Sequence, residues 1–142
     1  MGFRLKIEGG ETIELGSNDI LTATYKTDTP DDSNARSTEV GSILEITGKI
    51  LTATDGDQAD DTMKIALWSL VPAVKADCYR KATLEVLNAG QMVRKVYFPN
   101  AFVVDYTEDF GADAGVGTFR LVIKQKKDKN DLVKIEGGYA AE

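Results

Sequence analysis

The sequence contains no histidine and only one cysteine. Histidine is the usual general base of enzymes and the commonest protein ligand of transition metals. Its absence excludes Ser-His-Asp and Cys-His catalysis, and we expect no enzymatic activity, no cofactor and no metal ion. The single cysteine, Cys78, cannot form a disulfide within the chain. The fold should therefore not depend on an oxidising compartment.

Long apolar runs and clustered basic residues are also missing. No stretch approaches the ~20 apolar residues of a membrane-spanning helix, and the opening MGFRLKIEGG lacks the unbroken apolar segment of a signal peptide. The net charge is −6, and the one dense basic run, KQKKDK, is interrupted by an aspartate. Nucleic-acid binding depends on clustered Lys and Arg. We therefore expect folding in the cytoplasm, no membrane insertion and no sequence-specific binding of nucleic acid.

What is present is an ordinary globular composition, with 42% hydrophobic and 28% charged residues in 142 residues. This length fits one domain, 1–142, which can bury roughly two thirds of its unfolded surface. Alternating apolar and polar residues predict β-strands along most of the chain. The segments with this pattern are 3–15 (a hairpin), 20–26, 40–53, 81–86, 93–98, 100–108, 118–126 and 132–135.

Eight or nine strands joined by local turns predict a mainly β fold, an antiparallel β-barrel or sandwich with one inserted α-helix. In the long strand at 40–53, Gly48 is placed for a bulge or a bend. Before it, the polar segment 28–37 predicts a long loop.

One segment has the spacing of a helix, behind a possible Asp60 or Asp61 cap and ending before Pro72. The residues of its first apolar stripe are Met63, Ala66, Leu67, Leu70 and Val71. Ile65 and Trp68 fall on a second stripe, and a helix with two apolar stripes needs two surfaces to pack on. Trp68 either lies across the mouth of a barrel in its own chain or contacts a neighbouring subunit. We retain both alternatives, with Ile65 and Trp68 as candidate interface residues.

Two segments resemble ligand sites without fulfilling their requirements. DGDQADD, Asp55 to Asp61, begins like a calcium loop, but Asp60 and Ala66 stand where that loop needs glycine and a bidentate glutamate. We expect its aspartates to cap the helix instead. The glycines 111, 115 and 117 do not have nucleotide-loop spacing and precede a strand, so they predict a flexible hairpin end.

The stretch YFPNAFVVDYTEDF, residues 97–110, combines aromatic residues with carboxylates. On a strand, Asp105 and Glu108 point to opposite faces and cannot share a substrate. Phe102 and Tyr106 should line one face together with Val104. A strand of this composition belongs at a packed centre or at a subunit seam, which makes Tyr106 a candidate interface residue.

The same region carries a resemblance to a known family. The pattern Phe98-x-Asn100-Ala101-Phe102-Val103-Val104-x-Tyr106-x-Glu108-x-Phe110, a small-residue loop, and then Thr118-Phe119-x-Leu121-x-Ile123 resembles the C-terminal half of Hcp-like tube proteins of type VI secretion and of phage tail tubes. The order of elements agrees as well, with a long loop after an early strand and one helix midway.

The resemblance implies a structural subunit without catalytic residues, whose copies form hexameric rings that stack into a hollow tube. It implies as partners other copies of the chain, and sheath, hub or baseplate proteins. It further implies assembly in the cytoplasm with export or injection as part of the tube, or incorporation into a tail-like particle. A main tube subunit, a hub component and an adaptor all remain open, as does the alternative of a monomeric or dimeric β-barrel that binds a small apolar ligand or a sugar.

The polar loop also acquires a role from the resemblance, because the matching loop of such proteins lies against the next subunit or ring. Its only apolar groups are Pro30 and Ala35, so burial within one subunit cannot order it. We expect Asp31, Asp32 and Arg36 to meet opposite charges across a subunit contact.

Overall fold

The computed structural model describes residues 1–28, 41–50, 61–72, 74–112, 116–126, 129 and 132–140. Within them the chain forms nine strands, one α-helix and a short 3-10 helix at Ala76–Cys78. These elements are β1 (Gly2–Glu8), β2 (Thr12–Leu15), β3 (Ile20–Asp28), β4 (Gly41–Ile50), α1 (Thr62–Ser69), β5 (Arg80–Asn88), β6 (Gln91–Asp109), β7 (Gly117–Gln125), β8 (Lys134–Glu136) and β9 (Tyr139–Ala140). The mainly β, antiparallel fold with one inserted α-helix is confirmed. No helix in these ranges is long and apolar enough to cross a membrane.

All pairings are antiparallel, and the strand order is β2-β1-β5-β6-β7-β4-β3, with β8 and β9 beside the first half of β6. The two outer strands, β2 and β3, are consecutive in sequence and joined by residues 16–19. A flat sheet of this order would separate them by about 29 Å, whereas the connection spans at most about 18 Å. The sheet must therefore curl until its edges lie close. In the described strands it nevertheless stays open, because β2 and β3 are not paired.

The concave face of the curled sheet encloses the hydrophobic core. Its largest fully buried side chains include Trp68 and Phe98, together with leucines and isoleucines from five strands and the helix. The alternation predicted for β4 is confirmed, since Leu44 and Ile46 are both fully buried. At Gly48 a Cβ atom would overlap the carbonyl oxygen of Asp19. The predicted irregularity lies opposite this glycine, as a bulge in β3.

β6 is a single strand of 19 residues where the sequence predicted two. The register of β6 shifts at residues 99–100 and again at Val104. At each shift, the side chains that would have faced the core by strict alternation turn to the other face of the sheet. The core side is occupied by Phe98, then by Ala101 and Val103, and then by Tyr106. The prediction that Phe102, Val104 and Tyr106 share one face is therefore wrong. Phe102 is half-buried outside the main core, edge-on to Tyr79.

The helix is shorter than predicted. Its buried residues are Thr62, Ile65 and Trp68, whereas Met63 and Leu67 of the first stripe are exposed. The second stripe is thus the one that packs within the chain.

Candidate assembly surfaces

The structure describes three of the six candidate interface residues, Ile65, Trp68 and Tyr106. Asp31, Asp32 and Arg36 lie outside the described residues. Ile65 is fully buried and Trp68 is 2% exposed. These two side chains therefore have no surface to offer to another subunit, and the alternative in which Trp68 packs within its own chain is the one observed.

Trp68 joins the helix to the start of β5. Its indole Nε1–H donates a hydrogen bond to the Cys78 carbonyl oxygen over 3.0 Å, and the Arg80 guanidinium lies 5.4 Å from the ring centroid. Arg80 is itself buried and forms an ion pair with Asp77 over 2.9 Å. Sequence reasoning missed Arg80, although an acidic residue three positions before an arginine was a weak signal for this pair.

Tyr106, the sixth candidate, is half-buried on the core side of β6. Its ring stacks on Phe119 with centroids 6.3 Å apart, and its hydroxyl donates a hydrogen bond to Glu108 over 2.7 Å. Asp105, in contrast, contacts Arg120 on the opposite face. The prediction that Asp105 and Glu108 lie on opposite faces, and so cannot form one acidic site, is confirmed.

The convex face carries a row of alternating charges across four strands. Lys26 on β3 contacts Glu45 on β4 over 3.0 Å, and Arg120 on β7 bridges Glu45 and Asp105 over 3.1 and 3.2 Å. The hydrogen bond from Lys26, reinforced by the two positive charges, lowers the pKa of Glu45 below its usual 4.5. We call these four side chains the charge row.

Asp61 occupies the N-cap position of the helix, as one of the two predicted caps, but its side chain makes no capping hydrogen bond. Its carboxylate accepts a hydrogen bond from the Glu14 backbone N–H over 2.9 Å and contacts Lys64 over 3.3 Å. The remainder of the DGDQADD segment lies outside the described residues. Within the described ranges, His, Cys, Asp and Glu nowhere form a group of three or more placed to hold a metal ion.

A groove of about 420 Å³ lies on the convex face of β1, β5, β6 and β8. Six charged residues, one threonine and one tyrosine line it: Lys6, Glu8, Thr83, Glu85, Lys95, Tyr97, Lys134 and Glu136. Such a lining does not suit a small apolar ligand. The concave side, where a barrel would hold one, is occupied by the side chains of the core.

Among the exposed apolar side chains of the described residues are two groups. The first, which we call the helix stripe, consists of Met63, Leu67 and Leu70, with exposed fractions of 70%, 52% and 77%. These residues belong to the first of the two apolar stripes that the sequence predicted. Val74, just beyond the helix, is also exposed.

The second group, which we call the hairpin end, lies where β6 leads into β7 and consists of the apolar Phe110 and Val116 with the adjacent Glu108 and Asp109. Phe110 is 70% exposed although its ring lies against Gly117, where a Cβ atom would come within 2.5 Å of it. This close approach explains the glycine at the start of β7. From Phe102 to Asp109, β6 pairs with β7 on one edge, and no described strand pairs with its other edge.

An open curled sheet with a helix on its concave side, unpaired strand edges and exposed apolar surfaces defines a class of β proteins suited to assembly. Comparison with solved structures identifies the fold within that class. The chain is similar over its full length to Hcp1 from Flavobacterium johnsoniae, with a TM-score of 0.59, 16% identity and 100% of both chains covered.

Two further solved structures are similar to 95–96% of the chain. A chain of the anti-feeding prophage baseplate has a TM-score of 0.55 and 12% identity, with 92% of that chain covered. A chain of the sheath–tube complex of an extracellular contractile injection system, PVC, has a TM-score of 0.52 and 13% identity, with 88% covered. No protein-family model and no curated protein sequence matches the chain. The fold is therefore the Hcp-like tube fold that the resemblance implied.

Proposed function

We propose that this chain is a structural subunit of a contractile-injection or phage-tail-like tube, in which rings of six copies stack on one another. The observation that carries the proposal is the similarity of fold between this chain and Hcp1, which extends over the whole length of both chains. The baseplate in which one similar chain occurs is described with six-fold symmetry.

The exposed features of the fold support assembly. The edges β2 and β3, and the second half of β6, present backbone donors and acceptors that another copy can pair with. Four charged side chains of the convex face pair with one another in the charge row, which gives them a structural role.

We assign the same assembly partners that the similar chains have in their complexes, which are a baseplate, a tube-terminating cap and a sheath–tube complex. Assembly in the cytoplasm followed by export or injection, or incorporation into a tail-like particle, fits this assignment. We also retain Asp31, Asp32, Arg36 and Tyr106 as proposed contacts between subunits.

The test is the mass and shape of the purified protein. Native mass spectrometry should give a closed oligomer, with six copies as the expected number, and negative-stain electron microscopy should give rings. A strict monomer or dimer at high protein concentration, without rings, would contradict the proposal and favour the binding-module alternative.

A further inference from the structure

The apolar side chains of the helix stripe are not needed to attach the helix to its own chain. The helix is already anchored by Ile65 and Trp68 on its other side, and Leu67 and Leu70 nevertheless remain more than half exposed. Contiguous exposed apolar side chains on a surface mark interaction sites. The stripe therefore has the character of a site for contact with another molecule.

The hairpin end supplies a matching surface, and it is too far away to cover the stripe of its own chain. The end of the helix lies beside Phe102 and Val103 of β6. Phe110 lies seven residues further along, which is about 23 Å in an extended strand. The two apolar surfaces can therefore meet only between different copies.

The charges beside the two surfaces favour a contact between them. Lys64, within the helix next to the stripe, already forms an ion pair with Asp61 over 3.3 Å, whereas the ammonium group of the exposed Lys75 follows Val74. Phe110, in contrast, directly follows Glu108 and Asp109, both exposed. A contact in which Phe110 packs on the helix stripe brings its neighbouring carboxylates close to ammonium groups. This attraction favours a contact between the hairpin end and the stripe over a contact between the helices of two copies.

We infer that the helix stripe of one copy is the docking site for the hairpin end of the next copy. The inference rests on the proposed function and names the surfaces through which neighbouring copies meet. Because the two surfaces differ, the contact is heterologous: each copy offers one of each, so the contact repeats around a ring.

Cross-linking between two variants, each with one added cysteine, tests the contact directly. Leu67→Cys and Phe110→Cys subunits, carrying different affinity tags, are co-assembled and treated with a short bis-maleimide. We expect a covalent dimer that contains both tags. The wild type, whose own Cys78 is buried, is the control and should give none.

Charge substitution gives a second readout. Leu67→Glu and Phe110→Glu should each weaken assembly about tenfold or more, as measured by the concentration at which oligomers dissociate. Leu132→Glu is the matched control, since its 48% exposed fraction is close to the 52% of Leu67. It should leave assembly unchanged, and circular dichroism should give the same fold for all three variants.

The outcomes separate this inference from the proposed function. Rings of normal size without the mixed cross-link, and without an effect of Leu67→Glu, would overturn the inference and leave the ring proposal standing. Cross-links between two Leu67→Cys subunits would mean a symmetric helix-to-helix contact and would also overturn it. A wild type that never assembles would overturn both.

Discussion

At the scale of residues, the side chains that hold the fold together are those around Trp68. The indole is fully engaged, with a hydrogen bond to the Cys78 carbonyl and the Arg80 guanidinium against its face. Phe102, on the strand that the sequence placed at a packed centre or a subunit seam, is half-buried and makes its aromatic contact with Tyr79 at a centroid distance of 5.9 Å. Trp68 is therefore expected to contribute more to the stability of one chain than Phe102.

Trp68→Ala should lower the free energy of unfolding by roughly 3 to 5 kcal/mol, because it leaves a large cavity and uncovers the buried Arg80. Phe102→Ala should cost about 1 to 2 kcal/mol, since a half-buried ring loses less packing and one aromatic contact. Urea denaturation of both variants, under conditions where the protein is monomeric, measures the difference. Equal losses, or a larger loss for Phe102→Ala, would mean that the core has been wrongly assigned.

At the scale of elements, β3, β4, β7 and β6 are tied together on the convex face by the charge row. Its central carboxylate, Glu45, has a lowered pKa because it accepts a hydrogen bond from Lys26 and lies beside Arg120. A carboxylate whose pKa is lower in the folded state stabilises that state above its unfolded pKa. The contribution disappears as the pH falls through the folded pKa.

Glu45→Gln should therefore be less stable than the wild type at neutral pH, and the difference should vanish as the pH falls well below the usual value of 4.5. The effect should be modest and should shrink at high salt, because the row is exposed to solvent. Thermal melting of both proteins as a function of pH and salt measures it. A control is Glu11→Gln, in the turn between β1 and β2. A difference that persists unchanged in acid would show that the charge of Glu45 is not its cause.

At the scale of the whole molecule, the antiparallel pairing of β3 with β4 brings together the two ends of the segment that contains most of the polar loop. Asp28 of β3 and Gly41 of β4 are directly paired across the strands, so a short turn can replace the residues between them. Because shortening a loop costs little closure entropy, we expect the chain to fold without residues 29–40.

Replacing residues 29–40 by a short Gly-Ser turn should leave the fold and its melting temperature close to those of the wild type, and should prevent the stacking of rings. Circular dichroism reports on the fold, and electron microscopy on rings and tubes. A control with Asp31, Asp32 and Arg36 changed to serine at full length separates their charges from the length of the loop. Normal stacked tubes from the shortened chain would exclude a role of the loop in assembly.

The sequence by itself determined most of the elements, because alternation over β1 and β4 and the spacing in α1 are local patterns that tertiary contacts reinforce. It also determined that Asp105 and Glu108 cannot form one acidic site. Both residues follow the bulge at Val104, so the bulge turns both side chains in the same way and leaves them on opposite faces of the strand.

Only the tertiary structure decided which faces of β6 and of the helix are buried. The register shifts in β6 depend on pairing with β5 and β7, and the alternation of apolar and polar residues does not specify them. The choice between the two apolar stripes of the helix was likewise undecidable from spacing, because both have helical periodicity. It was settled by the shape of the curled sheet, which receives Ile65 and Trp68 and leaves Met63, Leu67 and Leu70 outside.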